Sequence, residues 1–120
     1  MTKIVYNETF GGFDLSAEAC KLYAKRKGWK YETITDNDMG YAFTYSVFID
    51  DKGLELSPSE LPRDCPYLAS VVEFLGSAKA SGNHAKLAIR ELPQGTKYRI
   101  SEYDGNESVM TIDEYDWKIA

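Results

Sequence analysis

A chain of 120 residues is long enough to close one hydrophobic core and too short to divide into two, so a single domain over residues 1–120 is expected. Its 43% apolar and 13% aromatic content excludes a disordered polymer, and a net charge of -5 argues against general nucleic-acid binding, which draws on surplus Lys and Arg. No apolar run approaches the ~20 residues needed to cross a bilayer, and Met1 to Asn7 lacks the apolar centre of a signal peptide, so no membrane association and a cytoplasmic location are expected.

Ile4, Val5 and Tyr6 predict a short strand that runs into the turn-forming segment Asn7 to Phe13 with its paired Gly11 and Gly12. Ser16 is placed to cap a helix whose last turn holds Lys25, Arg26 and Lys27 before the stop at Gly28, with Leu15, Ala19, Leu22 and Tyr23 on one side. Trp29 to Ile34, a turn at residues 36–40 and Tyr41 to Ile49 read as a β-hairpin. In its second strand Tyr41, Phe43, Tyr45, Val47 and Ile49 are expected to face the core, and Ala42, Thr44, Ser46 and Phe48 to face away.

Asp64 is the natural cap of a second helix, Pro66 suits its first turn, Leu68, Val71, Val72 and Leu75 form its apolar stripe, and Gly82 is expected to end it. Lys86 to Glu91, Thr96 to Tyr103 and Glu107 to Ile112 then read as a meander, with turns at residues 93–95 and 104–106. The order β-α-β-β-α-β-β-β predicts an α+β fold, two helices packed on one mostly antiparallel sheet.

Few residues offer chemistry. A strand, two glycines and a capped helix supply the ingredients of an anion site, but the spacing matches neither a P-loop nor a dinucleotide fingerprint; the plain alternative is a strand-to-helix turn anchored by Phe10 and Phe13. His84 is the sole histidine, and Cys20 and Cys65 have no CxxC or Cys/His spacing, so neither a metal site, a cofactor nor a disulfide framework is expected. A Cys65–His84 pair stands as a minor alternative to a small buried thiol. No catalytic residue can be named, because the carboxylates show no acid–base spacing. Basic Lys21, Lys25, Arg26, Lys27 and Lys30 cluster early, whereas Glu102, Asp104, Glu107, Asp113, Glu114 and Asp116 cluster late. Opposite patches on one small surface favour a homo-oligomer, against the alternative that they pair within the monomer.

The segments KIVYNETFGGFDLS, LPRDCPYLASVVEFLG and LAIRELPQGTKYRISEYDGNESV resemble those of short, uncharacterised proteins of tailed phages and some bacteria. The resemblance covers the two ends and the middle of the chain and leaves out residues 29–57. It implies a setting, a phage protein in a bacterial cytoplasm, more than a reaction. In that setting the expected role is counter-defence by binding, with either a nucleotide-derived immune signal or a host defence protein as partner.

Under the sequestering version Tyr6, Phe10, Phe13 or Tyr103 would stack on a base, backbone amides near Gly11 and Gly12 would face phosphate, Arg63, Arg90 or Arg99 would supply charge, and Asn7 would belong to the same ligand site. Under the protein-inhibitor version the tyrosine-rich strands and the acidic end would form the contact. DNA mimicry would need denser negative charge. The rival class is a small nucleotide-directed hydrolase or transferase using Asp64, His84 or Glu107 as its acid–base group.

Overall fold

Both ends of the first helix are set by side-chain and backbone hydrogen bonding that the sequence announces. Ser16 is extended and accepts the Ala19 N–H through Oγ at 3.1 Å, and Gly28, left-handed at φ 72°, closes its N–H on the Ala24 and Lys25 carbonyls. Between them α1 (Ala17–Lys27) buries Ala19, Cys20, Tyr23 and Ala24 and leaves Lys21, Lys25 and Arg26 exposed.

The computed structural model describes residues 1–36 and 43–111, so the expected turn at residues 36–40 lies for the most part outside it, as do Tyr41 and the acidic residues from Asp113 onward. Its strands are β1 (Thr2–Asn7), β2 (Lys30–Asp36), β3 (Phe43–Ile49), β4 (Glu55–Leu56), β5 (Leu87–Leu92), β6 (Tyr98–Tyr103) and β7 (Asn106–Thr111). Two further helices are α2 (Pro66–Leu75) and α3 (Ser77–Ala80), and a 3-10 turn covers Pro58–Glu60. The fold is α+β, and the expected order holds, with β4, α3 and the 3-10 turn inserted into it.

The described strands form three antiparallel sheets where one was expected: β1 with β5, β2 with β3 and β3 in turn with β4, and β6 with β7. The meander is broken because β5 spends its ladder on β1, from Thr2 opposite Leu92 to Asn7 opposite Leu87. After β5, Thr96 folds back on the Pro93 carbonyl through both its N–H (3.0 Å) and its hydroxyl (2.6 Å), and β6 starts a separate hairpin. That hairpin packs on β1 and β5 through Val109, which joins Ile4 and Leu92 in a small cluster and accepts Arg90 Nη1 on its carbonyl at 2.5 Å.

The larger core gathers Val5, Phe13 and Leu15 with Tyr23, Phe48, Leu68, Val71 and Leu87. Phe48, expected on the outer face of its strand, is instead fully buried with its ring 5.4 Å from that of Tyr23. Val47 is buried as well, so this end of β3 is covered on both sides and the simple alternation fails. Burying a ring of this size contributes about 2–3 kcal/mol.

Two end signals of α2 are also corrected. Its cap is Cys65 and not Asp64, with no side-chain bond, because Pro66 occupies the first helical position and fixes the start by its own geometry. Its end is Gly76, whose ψ of 156° leaves the helical region, so that α3 is a separate turn before Gly82.

Candidate functional site

The glycine loop is held by one buried amide. Asn7, fully buried at the end of β1, donates from Nδ2 to the carbonyls of Thr9 and Gly105, each at 2.8 Å, and accepts the Lys86 N–H on Oδ1 at 2.8 Å. One side chain therefore ties its own loop, the β6–β7 turn and the approach to β5 together. Its backbone N–H donates to Glu107 Oε1 at 2.9 Å, and the same oxygen receives Arg63 Nη1 in a largely buried ion pair. Arg63 also lays its guanidinium 3.6 Å from the centroid of the Phe13 ring, and its carbonyl accepts the Val5 N–H at 2.9 Å.

Asp104 and Gly105 both take positive φ, 49° and 84°, which makes a two-residue turn of the type that matches strand twist, and Glu102 Oε1 accepts the Gly105 N–H at 2.8 Å. The glycine loop lies directly on this turn. Gly11 donates its N–H to the Asp104 carbonyl at 3.2 Å, a Cβ on Gly105 would overlap the backbone of Gly12, and a Cβ on Gly11 would stand 2.5 Å from the His84 carbonyl oxygen. Close approach of three backbones is what these glycines permit. The Gly11 amide that an anion would use is already donated within the chain.

Above this frame two aromatic rings are left in solvent. Phe10 is 59% and Tyr103 74% exposed, and they meet edge to face with centroids 6.4 Å apart. Seven of the residues nominated from sequence are thus brought together: Asn7, Phe10, Gly11, Gly12, Phe13, Arg63 and Tyr103. Three are not. Tyr6 points to the opposite side of β1 and packs on Ile4, Leu92 and Val109. Arg90 is engaged with Val109, and Arg99 sits four residues before Tyr103 on β6, about 13 Å along the strand. Sequence reasoning missed Glu107 as an organiser, and the only signal available was that a carboxylate stands at the start of an otherwise regular strand.

The groups nominated for acid–base work occupy three different settings. Glu107 is buried against Arg63; His84 is exposed beside Gly11; Asp64 lines an open groove of about 520 Å³ between residues 1–3 and α2, together with Lys3, Ser70, Glu73 and Gln94. Cys65 Sγ lies 3.4 Å from the Tyr23 hydroxyl, and burial pushes the Cys20 thiol up to about 12, which keeps it protonated and unreactive at neutral pH. Among the described residues no three His, Cys, Asp or Glu side chains are grouped to hold a metal, and no helix is long and apolar enough to cross a membrane.

Asp14, at the start of α1's approach, has its carboxyl pushed above the ordinary range by desolvation, partly opposed by the Leu15 N–H on Oδ1 at 2.9 Å and by the nearby His84. The folded state therefore holds this proton more tightly than the unfolded chain, and ionisation above the ordinary carboxylate pKa costs stability that returns as pH falls below it. Asp14→Asn, which keeps an oxygen for Leu15, is expected to be more stable than the parent at pH 7 by less than about 1 kcal/mol, since the group is partly solvated. Urea titrations at pH 7 and pH 3 should show that advantage shrinking in acid; an advantage that grows in acid would refute the assignment.

Compared with protein-family models, with curated proteins and with solved structures, the chain matches none of them.

Proposed function

We propose that this chain is a non-enzymatic binding protein that engages another protein through Phe10 and Tyr103, and that, in the phage setting its sequence resembles, the partner is a component of host defence. The observation that carries this reading is the pair of exposed, mutually packed rings on a frame fixed by Asn7. Aromatic side chains lose few rotors when immobilised, and a surface held rigid before contact loses less entropy on binding. Exposed Glu102 and Asp104 beside the rings favour a basic partner surface. Sequestration of a nucleotide draws less support, because Arg63 and the Gly11 N–H, which would have faced phosphate, are engaged within the chain.

Two measurements test it. Incubating the purified protein with cyclic and ADP-ribose-type nucleotides, then heat-denaturing it and analysing the supernatant, is expected to show no depletion before heating. Crosslinked capture from host extract should yield a protein whose affinity falls about 100-fold on Phe10→Ala with Tyr103→Ala, with the melting temperature nearly unchanged. Intact nucleotide released on heating would overturn the reading in favour of sequestration, and altered nucleotide would overturn it in favour of an enzyme.

A further inference from the structure

A second exposed surface lies where the last turn of α1 meets α2. Arg26 Nη1 donates to Ser70 Oγ at 2.5 Å, and its guanidinium lies 5.7 Å from the Phe74 ring centroid. Lys27 Nζ lies 4.9 Å from the ring of Trp29 and 5.5 Å from that of Tyr67. Tyr67, Ser70 and Phe74 follow at i, i+3 and i+7 on one face of α2, and that face stays open: Phe74 is 72% and Tyr67 47% exposed. Exposed rings with cations against them, with Lys25 and Lys30 close in sequence, make a cationic aromatic surface.

The turn that carries Tyr103 has the opposite charge and the same aromatic character. Glu102 and Asp104 are exposed on it; Glu8, on the glycine loop that packs against it, is exposed but already paired with Lys86 at 3.5 Å and adds little. Glu107, also acidic in sequence, drops out because it is buried with Arg63. The two surfaces stand at opposite ends of α1: the glycine loop leads to its start at Ser16, whereas Arg26 and Lys27 sit in its last turn. Among the described residues no ion pair joins Arg26 or Lys27 to Glu102 or Asp104, so within one molecule the complementary charges do not pair.

We propose that the cationic face of α1 and α2 is a docking site for a second copy of this chain, which inserts its acidic turn, Glu102 to Asp104 with Phe10, against Arg26, Lys27, Tyr67 and Phe74. The contact is head to tail, so a joined pair keeps one free face and one free turn, and the assembly closes into a ring or extends. Its charge complementarity makes it sensitive to salt. Because the same rings are assigned above to a host protein, self-association and partner binding compete. Self-association is measured on the purified chain alone, so its failure and the failure of the host-partner reading are separate results.

Sedimentation velocity over about a hundredfold range of concentration, at low and at high salt, tests the proposal. The wild-type mass is expected to rise with concentration at low salt and to fall back as salt is raised. Arg26→Glu with Lys27→Glu, and separately Glu102→Lys with Asp104→Asn, should each weaken association at least about tenfold, and mixing the two variants should restore it, since each then offers the other a complementary surface. Asparagine is chosen at residue 104 because it tolerates the positive φ there. If a charge variant fails to fold, Phe74→Ser and Tyr103→Ala, which remove exposed rings, replace it with the same expectation. A wild type that stays monomeric throughout at low salt, folded variants that associate as the wild type does, or a mixture that stays monomeric would each overturn the proposal.

Discussion

Glu107→Ala is expected to lower the unfolding free energy by about 3–5 kcal/mol, the range for removing one partner of a buried ion pair. The side chains of Arg63 and Glu107 are only 14% and 9% exposed, so the truncated variant leaves a guanidinium pressed on Phe13 with no counter-charge and little water to replace it. The Asn7 N–H loses its acceptor at the same time, a buried donor whose desolvation costs about 1–3 kcal/mol when nothing pairs with it. Glu107→Gln keeps an oxygen for both donors and removes only the charge, and should therefore cost roughly half as much. The double variant Arg63→Met with Glu107→Leu should recover part of the loss, because apolar groups of similar volume need no partner. Urea unfolding of the wild type and the three variants measures these losses directly. A loss below about 1 kcal/mol for Glu107→Ala would mean that the pair does not hold the loop.

The contrast between what the sequence revealed and what it concealed has the same physical origin. α1 was legible because every determinant is local: the Ser16 hydroxyl reaches three residues on, Gly28 takes the left-handed φ, and the apolar side chains recur at helical spacing. The turn at Asp104 and Gly105 was legible for the same reason. The pairing of β5 was not, since alternation states which side of a strand is buried and says nothing about which strand lies beside it. Asn7 and Glu107 are 100 residues apart, and in the sequence Glu107 is one carboxylate among 19 acidic residues; only the folded chain singles it out. The glycine pair was read two ways from sequence. The contacts of Gly11 and Gly12 with Asp104, Gly105 and His84 give the turn reading a physical cause, close backbone packing. Phe48 shows the limit of periodicity from the other side: a strand end covered on both faces gives no alternation to read.

Gly105→Ala should be nearly as damaging as the loss of Glu107, and for a reason that a matched control can isolate. At φ 84° an alanine carries the strain of the left-handed region, about 1 kcal/mol or somewhat more. Gly95→Ala, at φ 87° with nothing beyond its chain neighbours within 4 Å of the added carbon, carries that strain alone. At Gly105 the added carbon also overlaps the Gly12 backbone, so the hairpin turn has to lift off the glycine loop. Lifting it breaks the bonds from Asn7 Nδ2 to the Gly105 carbonyl and from the Gly11 N–H to the Asp104 carbonyl, each worth about 1 kcal/mol. The expected loss is about 3 kcal/mol at Gly105 against about 1 kcal/mol at Gly95. The same displacement separates Phe10 from Tyr103, so Gly105→Ala should weaken both partner capture and self-association, while Gly95→Ala leaves them as in the wild type. Equal losses of stability in the two variants would show that the turn and the loop do not rest on each other, and the rigid frame beneath the two rings would go with it.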